Sequence, residues 1–574
     1  MIGKKTGAAA VAVMLFFLGS CDAQAAEERT IYAKVRDIEG GALTLVTGSL
    51  KEVAEAKPGA EMSGSRETEP LAESGSPDVS AAGAGVPPPA PAGDKPDNPN
   101  FGLKSFIEDG GDLVITPELT VTVSQQAGGE EKEAALADIR QGNFLRLFGR
   151  DSGAGFKVME ICILSGVIGL PDKPEEEELD QLTGLLIADG ETVVSEQEIY
   201  ASATRDQSVV VVKNGGQLTL SGGTLTKTGS ASKSGVHGLN AVVSVNQGSA
   251  GLTDSVLLSA AKGANGVFAA GEDTKVNLEN IEIHTQGDFS NGLEAVFSGI
   301  IEAMNVDVTT EGAFSAPLTA SWQSLITLNG GSLSSAGESS PCVYSTGEVV
   351  ANKVTGQASD SPAAIVEGDN SVALKECDLT GGGDSGIMLY QVTSAEDTEV
   401  VTRFSALNSR LATTGGGPMF YVTNTAAQVL LADTELEFDS GILVKAAGNE
   451  TNNWGIPGSN GGSLTLTAKD QRLSGDILCD AQSEVSLLLT EGSVYKGAVN
   501  SDAQAAGLSL TLDESSGWTL SGDSYVTALT NARSDCANIQ SAGYHLYYAA
   551  DNPANAWLGG RSLELAGGGS LLPW

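Results

Sequence analysis

The chain is poor in the residues that usually fill a rounded globular core or build a metal site. Of its 574 residues, aromatic residues make up 5 % and only three are histidines. A stacked β-coil needs fewer bulky rings, because small and branched aliphatic side chains fill each of its levels. The histidines show no metal-ligand spacing and are expected to be surface or turn residues. They are His237, His284 and His545.

Positive charge is also scarce. The sequence has 32 lysines and arginines against 73 aspartates and glutamates, which gives a formal net charge of −41. This excess of acid argues against a nucleic-acid partner, because such a partner requires a basic surface. It also disfavours direct docking on anionic lipid. We expect a well-solvated acidic surface, with a site for cations or basic partners as the alternative.

The six cysteines are scattered and form no CxxC pair. This spacing argues against a zinc site and against a dense disulfide framework. Cys342 and Cys377 fall in successive repeats of the sequence and could lie near each other. We nevertheless expect single thiols that are buried in the core rather than paired.

The N-terminal segment at 1–20 has the pattern of an export signal. Two lysines precede an apolar stretch at 8–18, which is too short to span a bilayer as a stable helix. The stretch ends in Leu-Gly-Ser followed by Cys21, which resembles the lipobox of bacterial lipoproteins and implies a lipid on Cys21. The alternative is ordinary cleavage near residues 23–25, and either route exports the chain to the cell envelope or beyond. No other stretch reaches about 18 consecutive apolar residues, so no transmembrane helix is predicted.

The segment at 265–385 repeats itself in five similar units. Each unit holds short runs of alternating apolar residues, separated by Gly, Asn, Ser or Asp. The units lie at 265–290, 291–315, 316–340, 341–361 and 362–385. Short strands in repeats of roughly 20–30 residues indicate a solenoid, because one coil cannot bury its apolar face alone and must stack on its neighbours. We predict that such coils extend over residues 183–530.

The rest of the chain is predicted to hold one small module, two linker-like segments and an end cap. Residues 28–50 have a hairpin pattern and strand signals return at 101–170, so both pieces are predicted to form one small β-barrel-like module. The insertion at 51–100 contains nine of the 19 prolines and is expected to be disordered or extended. Residues 171–182 are predicted to be an acidic linker. Residues 531–574 are predicted to be a polar, Gly-rich cap or tail.

Three later segments carry a family likeness. Residues 454–473, 474–499 and 517–529 resemble coils of the right-handed parallel β-helices found in autotransporter passengers and bacterial surface adhesins. The resemblance implies an all-β chain in which a right-handed parallel β-helix follows the small β-barrel-like module. The segment after Leu529 is too short for an autotransporter's membrane barrel, so a lipid on Cys21 is the expected anchor. The same fold also hosts pectin lyases and tailspike hydrolases, so the likeness says little about function.

One tetrapeptide has the appearance of a catalytic motif. Gly383-Asp384-Ser385-Gly386 resembles the nucleophile loop of trypsin-like proteases. That chemistry also needs a His and an Asp on a two-barrel fold. Here the tetrapeptide falls at a coil boundary, where Gly and Asp serve as turn residues. We therefore predict a turn.

Acidic side chains on adjacent coils could line one face of the predicted solenoid. They are Glu282, Glu294, Glu302 and Asp307. A polysaccharide lyase on this fold would also need a Lys or Arg as its base. The basic residues between positions 265 and 400 are only Lys275, Lys353 and Lys375. A hydrolase would need a carboxylate pair on a groove. We predict no catalytic residue and no resident metal, although Asp/Gly-rich turns could bind Ca²⁺ weakly.

The leading expectation is a non-enzymatic cell-surface protein, either an adhesin or an interaction scaffold. Its partner would be an extracellular glycan or a protein on a host or bacterial surface. The alternatives are a Ca²⁺-dependent β-helix that binds or cleaves polysaccharide, and a passive structural stalk. If sugars bind, Trp322, Tyr421 and Trp454 are the candidate stacking residues, although packing in the core or in loops is the expected role of each.

Overall fold

The structure is a computed structural model that describes most of the chain from residue 28 onwards. The described residues are 28–39, 41–52, 104–107, 111–118, 120–127, 130–139, 143–152, 155–164, 167–168, 179, 181–232, 235–392, 400–450, 454–455 and 457–574. The predictions of an export signal at 1–20 and of a lipid on Cys21 lie outside them. So do nearly all of the insertion at 51–100 and most of the acidic linker at 171–182.

The chain is an all-β protein, as predicted. It divides into two compact units, the first mostly within residues 28–165 and the second running to Trp574. The second unit is a parallel β-solenoid of about 15 turns. The predicted fold class, a right-handed parallel β-helix that follows a small β module, is confirmed.

The N-terminal module is a mainly antiparallel sheet. Its elements are β1 (Glu28–Glu39), β2 (Ala42–Glu52), β3 (Lys104–Ile107), β4 (Asp112–Ile115), β5 (Thr122–Ala127), β6 (Glu130–Ala134), the 3-10 helix η1 (Leu136–Asp138), β7 (Phe144–Ser152), β8 (Gly155–Leu164) and β9 (Val167–Ile168). The order is β6-β5-β8-β7-β1-β2, β4 also pairs with β2, and β3 pairs with β9. Alternate residues of the long strands meet in one core, which includes Val35, Leu45, Leu145, Leu147 and Ile161. This alternation is the pattern of strands with one buried face.

The solenoid begins with β10 and is built almost entirely of short parallel strands. Its first part comprises β10 (Gly184–Asp189), β11 (Thr192–Glu196), β12 (Ile199–Ser202), β13 (Ser208–Lys213), β14 (Gln217–Ser221), β15 (Thr224–Lys227), the 3-10 helix η2 (Gly235–His237), β16 (Val243–Asn246), β17 (Ser249–Ser259), β18 (Val267–Ala270), β19 (Lys275–Thr285), β20 (Leu293–Val296), β21 (Ile300–Thr310), β22 (Leu318–Ser335) and β23 (Val343–Ala358). Its second part comprises β24 (Ala364–Glu367), β25 (Ser371–Lys375), β26 (Asp378–Gly381), β27 (Ile387–Tyr390), β28 (Val401–Leu407), β29 (Arg410–Thr413), β30 (Phe420–Thr423), β31 (Ala426–Ala432), β32 (Glu435–Phe438), β33 (Ile442–Ala446), β34 (Ser463–Lys469), β35 (Arg472–Ser474), β36 (Asp476–Cys479), β37 (Glu484–Thr490), β38 (Val494–Lys496), β39 (Gly507–Leu512), β40 (Gly517–Thr519), β41 (Ser524–Val526), β42 (Ala528–Asn531), β43 (Ile539–Gln540), β44 (Leu546–Tyr548), the 3-10 helix η3 (Pro553–Leu558), β45 (Leu563–Glu564) and β46 (Ser570–Pro573).

Each coil pairs with the coils before and after it along three faces. Face 1 runs through β10, β13, β16, β18 and β20 and continues through β24, β27 and β30. Face 2 runs through β11, β14 and the first halves of β17, β19 and β21, then through β25, β28 and β31. Face 3 runs through β12, β15 and the second halves of the same three strands, then through β26, β29 and β32. The long strands β22 and β23 pass through all three faces.

The register between coils confirms the repeat predicted from the sequence. Ser249 pairs with Lys275, and Lys275 in turn pairs with Ile300 on the next coil. Ile300 then pairs with Leu325. Each of these three steps along the chain is as long as the corresponding unit at 265–290, 291–315 or 316–340. The repeat is therefore one turn of the solenoid.

The corner between faces 2 and 3 is turned by single residues in the left-handed conformation. On three successive coils these are Asp254 (φ 49°), Asn280 (φ 54°) and Asn305 (φ 54°). Asn and Asp adopt this conformation more readily than other non-glycine residues. Their side chains also form a ladder, in which Asn280 Nδ2 donates to Asp254 Oδ1 at 2.9 Å and Asn305 Nδ2 donates to Asn280 Oδ1 at 3.3 Å. The polar breaks in the sequence are thus the corners of the coil.

Aliphatic side chains fill the inside of the solenoid. In the coils around β19 and β21, Leu278, Ile301, Ala303 and Val306 are buried. The described cysteines are buried free thiols, as expected; they are Cys162, Cys342, Cys377, Cys479 and Cys536.

Parallel pairing continues beyond residue 530, into the segment predicted to be a cap or tail. Trp518 pairs with Ile539, Tyr525 pairs with Tyr547, and Tyr547 pairs with Leu572. The helix η3 supplies the side chain of Asn555, which accepts a hydrogen bond from Leu529 N at 2.8 Å and donates one to Thr527 O at 3.0 Å. The segment is therefore stacked coil as well as cap, and its glycines lie at the corners of short coils.

Candidate functional site

A shallow groove of about 370 Å³ lies on the outside of face 2. It crosses β17, β19, β21 and β22, and its outward side chains form two in-register columns. The columns are Gly251–Asn277–Glu302–Thr327 and Thr253–Glu279–Met304–Asn329. The groove is open to solvent along its outer side and is not an enclosed cavity.

The groove owes its depth to a glycine on β17. Successive residues of a strand point to opposite sides, so every second residue of the ladder faces outward. Gly251 occupies an outward position between Thr219 and Asn277, which both carry side chains. A Cβ at Gly251 would meet nothing closer than Leu218 O at 4.0 Å. The missing side chain therefore leaves open space on an otherwise filled face.

The groove offers polar groups beside one apolar surface. Lys275 Nζ lies 2.7 Å from Glu302 Oε1 at its rim. Asn329 Oδ1 accepts a hydrogen bond from Asn352 Nδ2 at 2.9 Å, which fixes the orientation of one amide. Met304 is 45 % exposed and adds an apolar contact. Amide, carboxylate and hydroxyl groups next to a thioether suit a ligand that carries hydroxyl groups on an apolar frame.

The four acidic residues that were predicted to line one face are distributed over three faces of the solenoid. Glu302 is on face 2, whereas Glu282 and Asp307 pair with each other on face 3. Glu294 is on β20 of face 1 and is 2 % exposed. Glu302 is separated from the pair on face 3 because β19 and β21 bend at the left-handed residue Asn280 and its equivalent on the next coil. The sequence repeat alone does not show on which side of this bend a residue falls.

The chain around η2 covers Glu294, which is buried. Burial raises its pKa to about 7, while hydrogen bonds from the Asn291 and Asn265 side chains oppose that rise. Asn265 Nδ2 donates to the Glu294 carboxylate and also to Gly235 O, the latter at 2.9 Å. Ser244 Oγ also donates to Gly238 O at 2.7 Å, in the same segment that covers this part of face 1. This carboxyl group therefore belongs to the packing of face 1 and does not line the groove.

Two of the three aromatic residues proposed for sugar stacking neighbour the same strand, β27. The ring of Trp454 is 5.2 Å from that of Tyr390 on β27. Tyr421 pairs in register with Met388 on the same strand, and Lys445 Nζ lies 5.5 Å from the centre of the Tyr421 ring. All three predicted residues are only half-buried.

Trp322 lies apart from the other two. It stacks on Phe297 with a centroid distance of 4.8 Å at the end of the face 1 segment of β22. Face 1 passes from β22 through β23, β24 and β27 to β30, so Trp322 is four coils from Tyr421. The three residues do not form one platform.

A half-buried cluster on face 1 was missed in the sequence. Tyr344 Oη donates to Glu367 Oε2 at 2.6 Å, and Tyr390 Oη donates to the same oxygen at 2.9 Å. Burial raises the pKa of Glu367, and both phenol pKa values lie well above their usual range for the same reason. Each step between the three residues is 23 residues. For Glu367 and Tyr390 this spacing is one coil, because the two residues pair in register, whereas Tyr344 pairs with Ile365, two residues before Glu367. The equal spacing is the signal that could have identified the cluster.

The other motifs singled out in the sequence lie in turns or loops, in a short helix or on a strand, away from the groove. The Gly383–Gly386 tetrapeptide is a turn between β26 and β27, as predicted, and Ser385 is buried. His237 is buried in η2, and His284 Nε2 is 2.7 Å from Glu311 Oε1 on face 3. His545 precedes β44, far along the chain from both.

No protein-family model, curated protein or solved structure matches this chain. Across the described ranges, no helix has the length and apolar character needed to cross a membrane. Within the same ranges, no group of three or more His, Cys, Asp or Glu side chains is placed to hold a metal ion. The geometry of the solenoid faces is therefore the basis for assigning a function.

Proposed function

We propose that the protein is a non-enzymatic surface protein that binds an extracellular glycan in the groove on face 2. The observation that carries the proposal is the pair of in-register columns that line the groove on consecutive coils. Adjacent coils are about 4.8 Å apart, so polar groups recur at short, regular intervals along the groove. A sugar chain presents hydroxyl groups that recur along its own length, and Met304 offers a surface for the apolar side of a ring.

The arrangement of charged groups favours binding over cleavage. Lys275 is the basic side chain at the groove, and it is engaged in an ion pair with Glu302. A lyase would require a base that is free to take a proton from the substrate. A glycosidase would require a general acid with a raised pKa beside a second carboxylate. Among the described residues, the acids with clearly raised pKa values, Glu294 and Glu367, lie on face 1 instead.

The cellular setting of the proposal rests on the N-terminal sequence. The export pattern at 1–20 and the lipobox-like Cys21 support a protein that is held at the cell envelope by a lipid. The solenoid would then act as an adhesin or interaction scaffold, with its groove turned to extracellular glycans. Ordinary signal cleavage would release the same binding protein from the cell.

A glycan-array screen of the purified chain, with and without Ca²⁺, tests the proposal. We expect saturable binding to a restricted set of glycans, with no change on adding Ca²⁺. Each bound glycan is then incubated with the protein and examined by chromatography for products, and none is expected. Cleavage products would replace the proposal with a glycan-active enzyme. A complete lack of binding would contradict it and favour a protein-directed adhesin or a stalk.

A further inference from the structure

Two phenylalanine rings are exposed at the corner between face 3 and face 1. Phe289 and Phe314 occupy the same position on successive coils, and their rings stack with a centroid distance of 5.2 Å and an interplanar angle of 8°. Phe289 is 37 % exposed and Phe314 is 49 % exposed. They belong to neither the solenoid core nor the groove.

The backbone holds both rings outward in a conformation that bulky residues rarely adopt. Phe289 has φ 56° and Phe314 has φ 53°, in the left-handed region. On the coils before and after them, the same position is filled by Gly263 (φ 66°) and Ser339 (φ 53°). The corner can thus be turned without a ring. The left-handed backbone therefore belongs to the corner itself, and the two rings are an addition that the corner does not require.

A cation covers one end of the stack. Lys262 Nζ lies 5.4 Å from the centre of the Phe289 ring, on the coil before it. Phe289 therefore has a neighbour on each side, Lys262 and Phe314. Phe314 has the Phe289 ring on one side only, which accounts for its greater exposure. The next residue in the column is Ser339, whose short side chain leaves the second face of Phe314 open.

The end of the stack at Phe314 lies near an acidic residue, whereas the end at Phe289 lies near a basic one. Lys262 directly precedes Gly263 in the column, and Glu338 directly precedes Ser339 in the same way; both side chains are exposed. Phe314 N donates to Glu338 O at 2.9 Å, so these two residues are hydrogen-bonded backbone neighbours on successive coils. A cation at this position would face both an aromatic ring and a carboxylate. The chain's net charge of −41 would also attract a basic partner.

We propose that the open face of Phe314 and the Glu338 carboxylate form a docking site for an arginine or lysine side chain from a basic segment of a partner protein. The contact of Lys262 with Phe289 is the internal example of the same interaction. Arginine is the better occupant, because its planar guanidinium stacks on a ring and binds a carboxylate at once. The site is separate from the groove and does not depend on glycan binding.

Fluorescence anisotropy with a labelled octapeptide of alternating Gly and Arg, at about 0.15 M salt, tests the proposal on the full chain. Phe314→Ser copies the residue found at position 339 and leaves the charge unchanged. We expect it to weaken binding about two- to fivefold, and we expect Phe314→Trp to strengthen binding, because Trp is the best cation–π acceptor. Tyr544→Ser is the matched control, since it removes a ring that is 41 % exposed elsewhere. It is expected to bind as the wild type does.

A peptide with citrulline in place of arginine shows whether the charge matters. It is expected to bind weakly and equally to the wild type and to Phe314→Ser. The proposal is overturned if the arginine peptide does not bind. It is also overturned if both Phe314 variants bind it as the wild type does, or if the citrulline peptide shows the same dependence on the ring. Phe314→Trp keeps the test valid even if Phe314→Ser perturbs the corner.

Discussion

At the scale of single residues, two carboxyl groups on face 1, one buried and one half-buried, are stabilised in different ways. Glu294 receives hydrogen bonds from two amide side chains, whereas Glu367 accepts both of its bonds from tyrosine hydroxyls. In the sequence, both looked like any other acidic residue of a strongly acidic chain. Their burial depends on what covers the outside of face 1, and a strand pattern does not contain that information. Only the equal 23-residue spacing of Tyr344, Glu367 and Tyr390 was available beforehand.

Glu294 is expected to make stability depend on pH. Its pKa is about 7 in the folded chain against an ordinary 4.5. Between these values the folded state holds a proton that the unfolded state has released. The free energy of unfolding therefore falls as pH rises through this window and levels off above about 7. The contribution is up to about 3 kcal/mol.

Urea unfolding of the wild type and of Glu294→Gln at several pH values between 4 and 8 measures this effect. The glutamine keeps an acceptor for Asn265 and does not titrate. We expect the two proteins to be similar in stability near pH 4 and the variant to be more stable at pH 8. Glu302→Gln, at a half-exposed position, is the control and should show no such divergence. A constant difference between wild type and Glu294→Gln at all pH values would contradict the account.

The hydroxyls of Tyr344 and Tyr390 are expected to act together on Glu367. Either Tyr→Phe change removes one donor from a half-buried carboxyl group and should lower the unfolding free energy by about 1–3 kcal/mol. Because the two donors share one oxygen, the losses should not add in the double variant. A double-mutant cycle followed by thermal or urea unfolding measures this coupling. Tyr547→Phe, on a half-buried stack away from Glu367, serves as the control. Additive losses would show that the two hydroxyls act independently.

At the scale of the coil, the spacing of strands and breaks was enough to predict the repeat. The lengths of the predicted units reappear as the steps between paired strands. The position of each residue around the coil was harder to obtain, because a single left-handed residue such as Asn280 redirects the strand. Glu279 and Glu282 are close neighbours in the sequence and yet lie on different faces. This is why the predicted row of acids is divided between face 2 and face 3, while Glu294 lies on a separate strand of face 1.

A column of glycines sets how closely successive coils approach at the turn before Phe289 and Phe314. A Cβ at Gly312 would lie 2.0 Å from Gly287 O, and one at Gly337 would lie 1.8 Å from Gly312 O. Gly312→Ala must push two coils apart and should lower the unfolding free energy by about 2–3 kcal/mol.

The matched control for this change is Gly517→Ala. Its new Cβ would meet nothing closer than Asn538 O at 3.4 Å, which is ordinary van der Waals contact. Urea unfolding of the two variants should separate them clearly. Equal stability of Gly312→Ala and Gly517→Ala would mean that the coils have room to relax and that the glycine column does not fix their spacing.

At the scale of the whole molecule, the solenoid could be predicted and its full extent could not. Low aromatic content, regular turn residues and the repeat all indicated stacked coils. The coils after residue 530 have very short strands, such as β43, and corners rich in glycine. Their pattern resembles that of a polar tail, because so few apolar positions remain in each turn. The groove could not be predicted either, because it depends on one glycine among the 72 in the chain.

The central claim, that the groove on face 2 binds a glycan, is tested most directly by parallel glycan arrays on the wild type and on Gly251→Phe. The new ring would fill space that is now empty, without a clash at its Cβ. Gln428→Phe is the control, because it adds the same ring at an exposed outward position of face 2 outside the groove. We predict that the wild type and Gln428→Phe bind the same glycans and that Gly251→Phe loses at least about tenfold in affinity, the effect of about 1.4 kcal/mol. Undiminished binding by Gly251→Phe would show that the groove is not the site.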